Sequence, residues 1–137
     1  MKTKAKTGIL LGVIVLALAS VLAYRALTSR VYSEANKPEG EAIVAALEGY
    51  KRDQGRFPDR LGQLVPKYLP ATPVPAQLTL IAYAAPEDGS ACWYAYQVHA
   101  DYYEEYDCVK RAWKTREYND STVMKHPRVE FIRGPHP

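Results

Sequence analysis

Residues 41–70, EAIVAALEGYKRDQGRFPDRLGQLVPKYLP, decide the fold of this chain. In the first half of this stretch, Ile43, Ala46, Leu47 and Tyr50 follow the i, i+3, i+4, i+7 spacing of one helix face. The charged residues between them fall on the other faces of that helix. We therefore predict an amphipathic helix whose apolar face packs on a second layer.

The same stretch contains a signal that ends the helix. Gly55 can adopt the positive φ that terminates a helix, and Pro58 prevents an early restart. A second, shorter apolar set then follows: Leu61, Leu64, Val65, Tyr68 and Leu69. Because Pro66 and Pro70 interrupt this set, we predict one or two helical turns that lead into an extended arm.

The net charge of +3 is unevenly distributed along the 137 residues. Residues 1–30 hold five of the 18 Lys and Arg and no acid, so the other 13 basic residues are outnumbered by all 15 acids. Residues 31–137 therefore have a net charge of −2. A nucleic-acid-binding domain would carry the basic excess itself, so we expect no nucleic acid as a partner.

An apolar segment without charges covers residues 7–24. As a helix it would be about 27 Å long, and residues 25–27 would extend it to the roughly 30 Å of a bilayer core. We therefore predict a transmembrane helix at 7–27. This helix would anchor the chain in the membrane, which is thus a predicted partner. The lysines of residues 1–6 would keep that N-terminus cytoplasmic. The alternative is a signal peptide cleaved before Ser20.

The remaining boundaries follow from helix breakers and the chain end. Residues 28–40 are predicted to form a stalk in which Pro38 and Gly40 mark a kink or a fresh helix start. The folded domain would then occupy 41–132, and 133–137 would form a flexible tail.

Alternating hydrophobicity predicts strands in the second half of the domain. The segments 77–83, 91–99 and 102–109 have the period of two that is typical of half-buried strands. Residues 129–132 are a candidate for one further short strand, and 110–116 for a solvated edge strand whose lysines discourage pairing between molecules.

The second and third strands predict a disulfide bond. If Ala100 is the centre of a short hairpin loop, Tyr94 faces Tyr106 and Cys92 faces Cys108. A disulfide requires Cα atoms within about 7 Å, which facing positions provide. It also implies an oxidising compartment, and closing a loop of about 15 residues would contribute roughly 3 kcal/mol.

Aromatic residues are concentrated between residues 83 and 118, where we count seven tyrosines and both tryptophans. One interpretation is that tyrosine suits a half-buried sheet, with its ring inside and its hydroxyl in water. The other is an exposed aromatic face around Trp93 and Tyr103 that stacks on a sugar or docks a protein. A basic, aromatic stretch at 110–116 could also contact anionic lipid head groups or an acidic partner. The candidate partner-binding residues are Trp93, Tyr103, Lys110, Arg111, Trp113 and Lys114.

The stretch at 41–70 resembles the pilin-like domains of type IV pilins, and more closely the major pseudopilin of type II secretion. The residues that carry the resemblance are Ala42, Ile43, Ala46, Leu47, Tyr50, the turn Asp53-Gln54-Gly55-Arg56-Phe57-Pro58, and Leu61, Leu64, Val65 and Pro66. They cover about 30 residues, and the order of elements matches over most of the chain. The resemblance implies an α+β fold: an N-terminal transmembrane helix, then an amphipathic helix packed on a three- to four-stranded antiparallel sheet.

The chain departs from that family in its apolar segment. Pilins and pseudopilins have a prepilin peptidase site, a glycine usually followed by phenylalanine, with a glutamate four residues after that phenylalanine. Here Gly8 is followed by Ile9, and no acid occurs from Thr7 to Tyr24. Since that glutamate is held to pair with the N-terminal amine of a neighbouring subunit, we infer a permanent anchor rather than a fibre subunit.

No catalytic or metal-binding motif is evident. The histidines at 99, 126 and 136 lack metal-ligand spacing, and the acids at 101–107 are expected to be solvated. The resemblance implies a possible calcium ion, for which Asp88, Asp101, Glu104, Asp107 and Asp120 could supply oxygens. None of them matches the family's calcium loop, so calcium stays unassigned, and we expect no other cofactor.

These observations predict a non-catalytic pilin-like protein, not an enzyme, that binds other proteins of the envelope or secretion machinery. It would be a single-pass protein of the bacterial inner membrane with its C-terminal domain in the periplasm. One alternative is a minor pseudopilin of a type II secretion or type IV pilus system. The other is a secreted ligand- or glycan-binding module released by signal peptide cleavage.

Overall fold

The computed structural model describes the backbone of residues 2–75 and 79–134; side chains before residue 37 are described at 8, 9 and 11–27. Positions 77 and 78 of the predicted first strand and positions 135–137 of the predicted tail lie outside these ranges. The described elements are helix α1 (Lys2–Gln54), strands β1 (Leu80–Ala84), β2 (Trp93–His99), β3 (Tyr102–Asp107) and β4 (Ala112–Glu117), helix α2 (Thr122–Lys125) and strand β5 (Glu130–Arg133).

The predicted apolar face of α1 is confirmed. Ile43, Ala46 and Leu47 are buried and Tyr50 is half-buried, and they form one core with the tyrosines of the sheet. Non-polar area removed from water at this interface is the main stabilising contribution to the domain. The amphipathic helix therefore packs on an antiparallel sheet, as predicted.

The end of α1 also follows the prediction. Gly55 has a φ of 73° and its N–H donates to the Lys51 carbonyl at 2.9 Å. The chain then enters a short 3-10 helix, Leu61–Leu64, whose two leucines are buried. This turn fills the space between α1 and the start of the sheet.

The predicted hairpin and disulfide bond are confirmed. Strands β2 and β3 are antiparallel, and Tyr94 faces Tyr106. A bond joins Cys92 and Cys108, whose Cα atoms lie 5.2 Å apart. The two strands are shorter than predicted, and each cysteine lies just outside the end of its strand.

The sheet is wider than the predicted three or four strands. It has five strands in the order β4-β3-β2-β1-β5, and each neighbouring pair is antiparallel. Strand β5 pairs with β1 and forms one edge, whereas β4 forms the other. The predicted edge strand is thus confirmed at 112–116, whereas 110 and 111 lie in the turn before it, and the strand count is corrected.

The predicted transmembrane helix at 7–27 is wrong. Within the part of the chain that the structure describes, no helix has the length and apolarity needed to span a membrane. The predicted single-pass inner-membrane location with a periplasmic domain is therefore not supported either.

Helix α1 does not restart at the predicted breakers. A single helix covers Lys2–Gln54 with Pro38 inside it, so the stalk predicted at 28–40 is helical throughout its backbone. Proline removes one backbone donor and clashes with the preceding turn. The helix nevertheless continues on both sides of Pro38.

The second face of the sheet carries a smaller core that the sequence did not predict. Val123 and Met124 of α2 pack on Ala82, Ala95 and other residues of that face. Helix α2 is only four residues long, too short for a helical hydrophobic period to appear in the sequence.

One acidic side chain of β3, that of Glu105, is buried although the sequence predicted it to be solvated. Glu105, expected to be solvated, is 4 % exposed and accepts hydrogen bonds from the Ser121 hydroxyl at 2.6 Å and the Val123 N–H at 3.2 Å. Arg116 lies 3.8 Å from the same carboxylate. The buried charge is thus compensated by polar contacts, and it fixes the start of α2 against the sheet.

Candidate interaction surface

An open groove lies between helix α1 and the β4 edge of the sheet. It has a volume of about 420 Å³ and is lined by Lys37 and Glu41 from α1 and by Tyr96, Glu104 and Trp113 from the sheet. We refer to these five residues as the Trp113 groove. Its two aromatic residues, Tyr96 and Trp113, are of the types that are enriched at protein interfaces.

Trp113 is held in the groove by three tyrosine rings. Its ring centroid lies 6.2 Å from Tyr94, 5.5 Å from Tyr96 and 5.1 Å from Tyr106, with the rings tilted or edge-on. Such arrangements are favourable for aromatic pairs. Trp113 nevertheless remains 37 % exposed, so a rigidly supported indole faces solvent.

Gly40 allows α1 to approach this aromatic cluster. A Cβ at this position would lie 2.8 Å from Cε1 of Tyr96 and 3.5 Å from Cη2 of Trp113. Any larger side chain would therefore push the helix away from the sheet at the groove. The residue read as a helix breaker has a packing role instead.

The charges of the groove are incompletely paired. Glu104 accepts a hydrogen bond from the Thr115 hydroxyl at 2.7 Å. Neither Glu41 nor Glu104 forms an ion pair with any residue that the structure describes. Among the residues that the structure describes, the groove is lined by one base, Lys37, and by two acids, Glu41 and Glu104.

A neighbouring acid on the same helix is paired. Glu48 accepts from the guanidinium of Arg111 at 2.9 Å, which ties the β3–β4 turn to α1. Burial, and next the Glu48 carboxylate, raise the pKa of the Tyr106 hydroxyl above its ordinary value. The Tyr106 hydroxyl, behind the Trp113 ring, therefore stays protonated at ordinary pH.

The predicted partner-binding residues do not form one surface. Trp93 and Tyr103 lie on the α2 side of the sheet, where Trp93 is half-buried beside the His126 ring and Tyr103 is buried. Both side chains are thus less exposed than predicted, and their role in binding a partner stays a prediction. Trp113 lies on the opposite side, in the groove.

The predicted basic residues have separate positions. Lys110 forms an ion pair with Asp107 at 2.9 Å within the β3–β4 turn, and Arg111 pairs with Glu48. Lys114 is exposed on the edge strand β4. Their role in binding a partner stays a prediction.

The acids considered for calcium lie apart. No three acidic, histidine or cysteine side chains in the described ranges are grouped so that they could hold a metal ion. Asp88 instead accepts from the Ser90 N–H at 2.9 Å, and Asp107 accepts from the N–H groups of Val109 and Lys110. These carboxylates thus hold turns in place.

Sequence reasoning missed most of the groove lining. It identified Trp113, but it read Glu41 only as a residue off the apolar face and Glu104 as one of several solvated acids. No local pattern marks these two acids, because they come together only where α1 crosses the sheet.

Comparison of the chain with protein-family models, with curated proteins and with solved structures finds no match.

Proposed function

We propose that this chain is a non-catalytic protein-interaction module of pilin-like design that takes part in an envelope or secretion assembly. The observation that carries the proposal is the Trp113 groove, in which a tryptophan is supported by three tyrosine rings and yet remains open to solvent. Exposed tryptophan and tyrosine are enriched at the energetically dominant positions of protein interfaces.

The roles of the acidic residues also support a non-catalytic module. Asp107 caps a turn, Glu48 pairs with Arg111, and Glu105 holds the start of α2. General acid–base catalysis needs a carboxyl group that can reach a substrate proton within a cleft. These three carboxylates are already engaged in holding the fold.

Site-specific photo-crosslinking in the native cells tests this proposal. A photo-reactive amino acid at Lys37, on the rim of the groove, is expected to crosslink a protein. The same amino acid at Glu87, in the exposed turn after β1, serves as the control. Equal crosslinking from the two positions, or none from Lys37, would contradict an interaction through this groove.

A second candidate is a minor pseudopilin of a type II secretion or type IV pilus system. The observation that favours it is the single helix Lys2–Gln54, because in the pilin-like proteins that this chain resembles the N-terminal helix and the domain helix form one long rod. N-terminal sequencing of the protein from its own cells distinguishes the candidates. A new terminus at Ile9 supports the pseudopilin, an intact start supports the first proposal, and a terminus at Ser20 supports a secreted binding module.

A further inference from the structure

We infer that the Trp113 groove binds the cationic side chain of an arginine or lysine presented by an extended segment of a partner protein. This inference rests on the proposed interaction function and specifies what the groove recognises. It follows from the aromatic wall, the charge of the lining and the position of Lys37.

The aromatic wall provides a surface that attracts cations. An ammonium or guanidinium group over the face of a tryptophan ring is attracted by the ring's quadrupole, and tryptophan is the best of the aromatic side chains for this contact. Three tyrosine rings pack against Trp113, which lines the groove and remains 37 % exposed. The indole is therefore fixed before any ligand arrives.

The carboxylates of the groove select a cation over a neutral ligand. Glu41 from the helix and Glu104 from the sheet line the same 420 Å³ space. Because neither forms an ion pair within the described part of the chain, both can accept charge-assisted hydrogen bonds from a ligand. A neutral sugar could stack on the indole, but it would leave this net negative charge uncompensated.

The positive charge of Lys37 opposes the binding of a cationic ligand. Lys37 lies four residues before Glu41 on α1, a spacing at which side chains on a helix are neighbours. Its ammonium therefore lowers the negative potential that attracts a ligand cation. Removing this charge should strengthen binding of a cationic peptide, whereas a merely structural groove would respond to neither charge.

The test uses the full-length chain labelled with 5-fluorotryptophan. The two tryptophans give two fluorine NMR signals, so Trp93, on the other side of the sheet, is an internal control. The probe is a capped peptide, acetyl-Gly-Gly-Arg-Gly-Gly-amide. The matched control contains citrulline, which has the shape of arginine without its charge.

We expect the arginine peptide to shift the Trp113 signal in a saturable way and to leave Trp93 unchanged. The citrulline peptide should bind at least severalfold more weakly, and higher salt should weaken only the arginine peptide. Equal shifts with both peptides, or a shift with methyl glucoside and none with arginine, would overturn the inference.

Charge variants then test the lining. Glu41→Gln and Glu104→Gln should each raise the Kd about two- to fivefold, the range expected for an exposed ion pair. Glutamine at 104 can still accept the Thr115 hydrogen bond, so the fold is retained. Lys37→Gln should lower the Kd by a similar factor, and Glu87→Gln, outside the groove, should leave it unchanged. A Kd that is the same in all four variants would refute recognition by charge.

The peptide experiment tests the cationic ligand, whereas the crosslinking experiment tests the interaction function, so their outcomes can differ. If Lys37 crosslinks a protein while the arginine peptide gives no shift, the interaction function stands and the cationic ligand is wrong. If the peptide binds and no protein is crosslinked, the groove recognises cations but the proposed interaction function is wrong.

Discussion

At the scale of single residues, Leu47 tests whether the assigned face of α1 is the interior face. Leu47 has no exposed surface, whereas Ala45 two residues earlier is exposed. Leu47→Asp would place an unpaired charge in the core, a cost of several kcal/mol, and should abolish cooperative thermal unfolding measured by circular dichroism. Ala45→Asp is the matched control and should melt close to the unmodified chain. A normal melt for Leu47→Asp would show that the face is assigned incorrectly.

Two buried tyrosines predict how stability depends on pH. Burial raises the pKa of Tyr83 and of Tyr94 well above the ordinary value of 10.0. Above that pH the unfolded chain releases these protons and the folded chain retains them, so stability is fully present below about pH 10 and declines as the pH rises further. Urea unfolding at pH 8, 9.5 and 11 should show this decline.

The Tyr83→Phe variant distinguishes the effect of the titrating hydroxyl on stability from the effect of ring packing. The variant loses the hydrogen bond from the Tyr83 hydroxyl to the Pro58 carbonyl, 2.7 Å long, which should cost about 1 kcal/mol at pH 8. Its stability should then fall less steeply above pH 10 than that of the unmodified chain. Tyr118→Phe, at an exposed position, should keep the original slope, and equal slopes for both variants would contradict the assignment.

At the scale of elements, the disulfide bond stabilises the β2–β3 hairpin. Cys92 and Cys108 are separated by 16 positions, and closing a loop of that size contributes about 3 kcal/mol by constraining the unfolded chain. The double variant Cys92→Ala and Cys108→Ala should therefore lose about that free energy of unfolding in urea titrations. Addition of a reductant should destabilise the original chain by a similar amount and leave the double variant unaffected.

Helix α2 depends on one cap. The Ser121 hydroxyl accepts from the Met124 N–H at 3.3 Å and donates to the buried carboxylate of Glu105. Ser121→Ala should destabilise the domain by about 1–2 kcal/mol because it removes a helix cap and a hydrogen bond to a buried charge. Thr122→Ala, at the exposed next position, should change stability by much less in the same urea titration.

The elements also show why only part of the fold could be predicted. The hairpin was predictable because a period of two and a single turn position fix every facing pair, including Tyr94 with Tyr106. Helix α2 was not, since its four residues are shorter than two turns. The burial of Glu105 depends on that helix covering the second face of the sheet, so the alternation of polar and apolar residues in β3 could not reveal it.

The groove was only partly predictable for a related reason. Trp113 was recognisable as an unusual side chain in a basic segment, but its partners come from positions far apart in the chain. Glu41 and Gly40 approach it only because α1 crosses the sheet near the β4 edge. Local sequence patterns carry no information about that crossing point.

At the scale of the whole molecule, the buried and the exposed apolar residues of the described chain lie mostly in different segments. Every buried hydrophobic residue of the described chain lies between Ile43 and Met124. By contrast, the following apolar side chains of α1 are more than half exposed: Ile9, Leu11, Val13, Val15, Leu16, Leu18, Val21, Leu22 and Leu27. A continuous apolar surface of this kind favours association with further apolar surface.

Deleting residues 1–27 should therefore change association more than stability. We expect the chain 28–137 to unfold cooperatively in urea, with a free energy of unfolding within about 1 kcal/mol of the original, because no core residue is removed. Light scattering coupled to size exclusion should show self-association for the full chain in the absence of detergent and a monomer for 28–137, because the exposed apolar surface is gone. Loss of cooperative unfolding in the shortened chain would mean that the N-terminal part of α1 contributes to the core. The same number of chains per particle for the two proteins would mean that these apolar side chains do not drive association.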